Sequence, residues 1–175
     1  MNKYLKYLSL ILLIGCSKSK EEKIDSYQTW SGNQINQFIL AKMPTNTIKP
    51  SFYFKDESYI LPTKDWVVNK LTPQFQQFLF DYNLRQYKEG RNECDKYSLY
   101  CKTVANILNA HNANKPLSGI AVADFSYISS VNSHSINIIL VSDSNNNVEL
   151  LYYEPQAAQL IELQQYNLVP LVVDF

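Results

Sequence analysis

Three side chains of this sequence have the types and chain order of a nucleophilic centre: Cys94, His134 and Glu154. A thiolate is a strong nucleophile, and an imidazole can accept the thiol proton. A carboxylate beside the imidazole can fix its tautomer and stabilise its charged form. Cys94 lies at a predicted helix start, and the other two lie at the ends of predicted strands. We therefore take these residues as candidate nucleophile, general base and orienting group.

The helix predicted around Cys94 runs from Asn92 to about Ala110. Its apolar residues recur at three- and four-residue steps, and they are Tyr97, Tyr100, Cys101, Val104, Ala105 and Leu108. The Asn92 side chain can cap the first turn. Cys94 would then lie in that first turn, where free backbone amides and the helix dipole favour a thiolate.

The positions of His134 and Glu154 follow from a predicted hairpin. Strands are predicted over His134–Val141 and Val148–Tyr153, and the polar residues 142–147 form the turn between them. If the turn centres near residue 144, His134 lies directly opposite Glu154 and the two side chains share a face of the sheet. A register shift of one residue would turn one of them to the other face.

The remaining pattern predicts an α+β domain. Pro44 ends a short helix over Gln34–Lys42, and Thr72-Pro73 begins a helix that ends near Gly90. Further strands are predicted at Ser51–Phe54, Ser58–Leu61, Ile120–Tyr127 and Leu168–Val173. The predicted architecture is helices followed by a mostly antiparallel sheet.

Three short motifs give this chain a family resemblance. They are Asn92-Glu93-Cys94-Asp95, His134-Ser135-Ile136-Asn137 and Tyr153-Glu154-Pro155-Gln156. Together they resemble the papain-like cysteine peptidases, above all the small variety that forms the C-terminal domain of certain agglutinin lectins and occurs in short phage and bacterial proteins. The resemblance covers about residues 72–160. It implies a papain-like fold with Cys94, His134 and Glu154 as the catalytic triad.

The resemblance leaves the oxyanion donor and the reaction open. Papain-like peptidases commonly place a glutamine a few residues before the nucleophile, whereas here Gln86 is eight residues ahead and Asn92 is two ahead. Either side chain is a candidate donor beside the Cys94 amide. Transglutaminase-like enzymes share the same triad logic, so hydrolysis of a peptide or amide bond and acyl transfer both remain possible.

The N-terminus has the pattern of an export signal. Lys3 and Lys6 precede the apolar run Leu8–Ile14, which is far shorter than the roughly 20 residues that span a bilayer. The tetrapeptide Leu-Ile-Gly-Cys that ends at Cys16 resembles the lipobox of bacterial lipoproteins. We expect residues 1–15 to be a signal peptide, residues 16–26 a lipidated cysteine and flexible tether, and residues 27–175 a single domain. This predicts a location at the bacterial cell envelope, anchored to the membrane by lipid.

Other roles for the cysteines receive less support. Cys94 and Cys101 are two helical turns apart, roughly 10 Å, which is too far for a disulfide unless the helix is broken. An exported protein could nevertheless form one. A zinc site from Cys94, Cys101 and His134 has the wrong cysteine spacing, and we expect no metal or other cofactor. Cys101 is predicted to be a buried free thiol, and His111 to be exposed.

Composition restricts the partners. The 175 residues carry 16 Lys and Arg against 16 Asp and Glu, with no long basic run, which argues against nucleic-acid binding. The first functional hypothesis is an envelope lipoprotein that acts as a thiol hydrolase or acyltransferase on peptide or amide substrates. The alternatives are a non-catalytic envelope module that binds a protein or glycan, and an exclusion or immunity lipoprotein encoded by a mobile element.

Overall fold

A computed structural model describes residue 24 and residues 26–43, 48–86, 93–111, 118–129, 132–163 and 168–175. The predicted signal peptide, Cys16, most of the predicted tether and the candidate cap Asn92 lie outside these residues, so the expectations about them stay predictions. Within the described part, no helix has both the length and the apolar character needed to cross a membrane.

A small sheet holds three strands, in the order β1-β3-β4. Its strands are β1 (Ser26–Ser31), β3 (Ser58–Pro62) and β4 (Gly119–Ile120). β1 runs antiparallel to β3, whereas β3 and β4 are parallel. β3 is almost wholly buried, so this sheet is part of the core and not a surface ribbon.

The larger sheet holds six strands, in the order β2-β9-β5-β6-β7-β8. They are β2 (Ser51–Tyr53), β5 (Val122–Ile128), β6 (Ser133–Ser142), β7 (Val148–Glu154), β8 (Gln159–Ile161) and β9 (Val169–Asp174). β2 and β9 are parallel, and the other pairs are antiparallel. The central strand β6 is buried from Ser135 onward, because apolar residues cover both of its faces.

Two helices confirm their sequence predictions closely. α1 (Gly32–Lys42) begins with a capping box, in which the Ser31 hydroxyl accepts from the Gln34 amide and the Gln34 side chain accepts from the Ser31 amide. α4 (Cys94–Ala110) buries the predicted stripe, and its Cys101 is fully buried. His111 follows α4 and is exposed, as predicted.

The helix predicted from Thr72 begins eight residues earlier. Its first turn, α2 (Lys64–Trp66), is capped by the Thr63 hydroxyl, and a π-helical segment (Val67–Leu71) connects it to α3 (Thr72–Asp81). The Thr72 hydroxyl donates to the Val67 carbonyl at 2.9 Å and therefore does not act as a cap. Buried Trp66 and Val67 fix this early start, because they belong to the core cluster that also contains Phe75.

The predicted order of helices followed by a mostly antiparallel sheet is wrong. β1, β2 and β3 precede the long helix α4, and the strands form two mixed sheets with two parallel pairs. β1 was missed because Ser26–Ser31 shows no apolar alternation; it forms through backbone pairing with the buried strand β3. The late strand β9 also inserts between β2 and β5, a long-range pairing that local pattern does not encode.

Candidate binding cleft

Several elements end at one side of the large sheet and enclose an open cleft of about 600 Å³. They are the end of β5, the start of β6, the turn after β7, the start of β9 and the first turn of α4. The residues that line the cleft are Cys94, Tyr127, Ser129, Asn132, Ser133, His134, Gln156 and Leu168. Most of these side chains can donate or accept hydrogen bonds, so the cleft suits a polar ligand.

His134 and Glu154 form a direct pair beside the cleft. Nε2 of His134 lies 2.8 Å from Oε2 of Glu154, and the two side chains are 28% and 17% exposed. The other carboxylate oxygen of Glu154 accepts a hydrogen bond from the backbone amide of Gln156 at 3.0 Å. The carboxylate therefore fixes the orientation of the imidazole, and the turn after β7 holds the carboxylate.

The contact between His134 and Glu154 was predicted, but the predicted strand register is wrong by two positions. β6 and β7 pair Asn137 with Tyr153 and Ile138 with Tyr152, which places Glu154 diagonally from His134 instead of directly opposite. A shift of two residues keeps both side chains on the same face, and diagonal neighbours remain within reach of long side chains. His134 and Glu154 therefore make contact even though the predicted register is wrong.

Cys94 is the first residue of α4 and lies half-buried at the cleft. The structure places the N-cap at Glu93, whose side chain makes no capping bond. Cys94 and His134 line the same cleft, and His134 contacts Glu154, so the three predicted site residues are brought to one end of the domain.

Tyr127 is a cleft residue that sequence reasoning missed. It pairs with His134 across β5 and β6, and the two rings meet edge to face with centroids 5.8 Å apart. Burial raises the pKa of Tyr127, and the nearby Glu154 and Cys94 raise it further, so the phenol stays neutral and can donate. The sequence could have pointed to Tyr127 only through its pairing with His134, and that pairing requires the register between β5 and β6.

The two oxyanion candidates receive no support from the structure. Gln86 is exposed in the segment after α3, and it is not among the described residues that line the cleft. Asn92 lies outside the described residues.

Cys101 is a free thiol with no solvent exposure, and Cys94 is also free, so the alternative of a disulfide between them is wrong. Burial raises the pKa of the Cys101 thiol far above its ordinary value, which keeps it neutral and unreactive. Among the described residues, no group of three His, Cys, Asp or Glu side chains is placed to hold a metal ion.

A buried polar network fixes α4 against the strands that carry the cleft. The Ser98 hydroxyl donates to Asp124 at 2.7 Å, and the Asn137 amide donates to the carbonyls of Ser98 and Ala123 at 3.0 and 3.2 Å. Asn137 is fully buried, and burial raises the pKa of Asp124. Because Ser98 lies one helical turn after Cys94, this network sets the distance between the helix start and β6.

A second polar contact joins α4 to the last strand. Lys102 Nζ lies 2.9 Å from the Asp174 carboxylate and donates to the Asp174 carbonyl at 2.8 Å. Lys55 reaches the same carboxylate at 3.1 Å. Burial lowers the pKa of Lys102. Burial acts to raise the pKa of Asp174, but the bonds from Lys102 and Lys55 outweigh it and hold that pKa below its usual value.

Neither a family model nor a curated protein sequence matches this chain. Several solved structures do match this chain. The structure titled "PSL1a-E64 complex" shares 15% identity with a TM-score of 0.67, over 84% of this chain and 51% of the other. Polyporus squamosus lectin, bound to the human-type influenza-binding epitope Neu5Aca2-6Galb1-4GlcNAc, shares 15% identity with a TM-score of 0.64, over 84% and 49%. This chain therefore spans about half the length of the proteins whose fold it shares.

These comparisons contradict the resemblance to papain-like cysteine peptidases and the thiol hydrolase or acyltransferase hypothesis that rested on it. A named structural neighbour is a lectin. Three short motifs were too little sequence to assign a family, because each consists of residues that also serve structural roles at helix starts and strand ends. At 15% identity the likeness shows the fold alone.

Proposed function

We propose that this chain is a non-catalytic binding module whose cleft beside His134 takes an oligosaccharide. The observation that carries the proposal is the cleft itself, which is open, about 600 Å³ in volume and lined mainly by hydroxyl, amide and imidazole groups. A sugar presents several hydroxyls together with an apolar ring face. A lining of this kind can match both parts, since polar groups fix the orientation and aromatic rings supply apolar area.

Each cleft residue has a distinct part in the proposed binding. Glu154 holds His134 in one orientation, so the imidazole presents a fixed edge to the ligand. The neutral phenol of Tyr127 supplies a rigid ring beside it. Asn132 and Gln156 are exposed amides at the rim that can each donate and accept. Cys94 contributes a small polarizable wall at the helix start and contacts the ligand without reacting.

One of the two reported fold neighbours has a saccharide bound, which supports this class of ligand. Polyporus squamosus lectin is bound to a sialylated trisaccharide, and this chain matches about half of that protein. The formal net charge of zero and the absence of a basic run give no electrostatic attraction toward nucleic acid. The proposed partner is therefore a neutral or singly charged oligosaccharide.

The proposal is tested by calorimetric titration with that trisaccharide and with unsialylated and chitin-type oligosaccharides. We expect saturable binding to at least one of them, weakened about tenfold by Gln156→Ala through loss of a rim hydrogen bond, or about 1.4 kcal/mol. Gln76→Ala removes the same exposed amide from α3, away from the cleft, and should leave the affinity unchanged. Absence of binding across the panel, or equal losses in both variants, would overturn the proposal.

A further inference from the structure

Ile24 is the first residue that the structure describes, and it lies eight residues after the predicted lipidation site Cys16. Its side chain is 5% exposed and belongs to the core cluster that contains Trp66 and Val67. Eight peptide steps separate it from Cys16, which can span at most about 28 Å. A lipid on Cys16 would therefore hold the Ile24 end of the domain near the membrane.

Two contacts show which end of the large sheet lies beside Ile24. The next strand, β1, begins with Ser26 paired to Pro62, and the neighbouring Leu61 carbonyl accepts from the Ser142 hydroxyl at 3.2 Å. The Gln28 side chain donates to the Asn146 carbonyl at 2.7 Å, in the turn after β6. The beginning of the domain thus lies at the end of β6 that contains Ser142.

The cleft lies at the other end of the same strand. β6 runs from Ser133 to Ser142, and His134 is eight residues before Ser142. At about 3.4 Å per residue this places the cleft about 27 Å along the sheet from the anchored end. Two ends of one strand inside a packed sheet keep a fixed separation, so an anchor at the Ile24 end holds that end nearer to the membrane than the cleft.

We infer that the cleft faces away from the membrane that anchors the chain, and that it takes saccharides from the aqueous side and not glycolipid headgroups of its own membrane. The inference rests on the proposed saccharide binding and on lipidation at Cys16. The turn at residues 143–147 would then lie nearest the membrane. The rim residues Asn132 and Gln156 would lie farthest from it.

The test uses the lipidated full chain in vesicles that carry a gadolinium chelate on a fraction of the headgroups. Nitroxide labels are placed at Ser144→Cys or Asn132→Cys in a Cys94→Ser background, since both positions are exposed and Cys101 is buried. We expect relaxation of the Ser144→Cys label to be enhanced at least threefold more than that of the Asn132→Cys label. Equal enhancement, or a larger one at position 132, would overturn the inference.

Two accompanying measurements separate this inference from its premises. Mass spectrometry of the wild-type protein should show a lipidated Cys16, and Cys16→Ser should remain unprocessed; an intact Met1 on the wild type would remove the anchor and with it the inference, while leaving saccharide binding untouched. Soluble oligosaccharide titrated onto vesicles that carry the lipidated wild-type protein reports the proposed function separately. Binding of a vesicle-embedded glycolipid in preference to the soluble sugar would contradict the assigned direction.

Discussion

At the scale of single residues, the cleft depends on a few polar contacts that its lining residues do not make themselves. Ser98, Asn137 and Lys102 all lie below the cleft, on α4 or β6, and each bridges two elements. A buried donor that bonds to two neighbouring elements specifies how those elements are arranged, because an alternative arrangement would leave that donor unpaired. Residues below the cleft should therefore control stability, whereas rim residues control binding.

Asp174→Asn should destabilise the fold by about 2 kcal/mol, because it leaves the buried Lys102 ammonium without its carboxylate. Urea unfolding at pH 7 measures the loss. The matched control is Glu149→Gln, which removes the exposed pair with Lys64 and should cost about 0.5 kcal/mol or less. Because the folded pKa of Asp174 lies below its unfolded value, the stabilisation is present above the ordinary carboxyl range and disappears as pH falls through the folded pKa. Equal losses for the two variants would contradict this role.

Asp124→Asn should have the opposite pH signature. Burial raises the folded pKa of Asp124 above its unfolded value, so folding favours the protonated acid and stability falls as pH rises through that range. Asparagine keeps an acceptor for the Ser98 hydroxyl and carries no charge. We therefore expect the variant to match the wild type at low pH and to equal or exceed its free energy of unfolding at pH 7. A larger deficit at pH 7 than at pH 4 would show that the carboxylate is needed in its charged form.

At the scale of elements, the small sheet depends on one close approach. An added Cβ at Gly119 would lie 2.5 Å from the Asp56 carboxylate and 2.8 Å from the ring of Tyr59, which is itself fully buried. Gly119→Ala should cost about 1–3 kcal/mol, since the Tyr59 ring cannot move away without disturbing the core. Thermal unfolding measures the effect, and Ser144→Ala in the exposed β6–β7 turn should leave the midpoint unchanged. Equal midpoints for Gly119→Ala and the wild type would show that β3 and β4 can separate without cost.

The sequence predicts the elements whose burial is periodic and fails where pairing is long-range. α4 and the β6–β7 hairpin could be predicted because their apolar residues repeat at helical or strand spacing, and because Asp143 accepts from the Asn145 and Asn147 amides to form the turn. β1 and the insertion of β9 could not be predicted, because they depend on pairing with distant strands.

The candidate site was predictable to the same extent. The hairpin brings His134 to Glu154, and the helix start brings Cys94 to the same end of the domain, whereas Tyr127 required the β5–β6 pairing. The sequence predicted where these side chains lie better than it predicted what they do. The same three side chains suit a nucleophilic centre or a polar wall, and residue types alone favoured the first interpretation.

At the scale of the whole molecule, the described residues form one domain whose two ends differ. The cleft lies at one end of β6, and Ile24, the first buried residue in the described part of the chain, lies near the other. A lipid on Cys16, as we infer, would leave the cleft facing saccharides in the surrounding medium.

The central claim, that the cleft binds without catalysing, is tested most directly by the alkylation rate of Cys94 against pH in wild type and in His134→Ala. We predict superimposable profiles for the two proteins without ligand, and a slower reaction in the wild type when the bound oligosaccharide covers Cys94. His111→Ala is the matched control and should change neither profile, because His111 is exposed beyond the end of α4. A rapid reaction at low pH that His134→Ala abolishes would contradict the account, since it would show a thiolate activated by the imidazole.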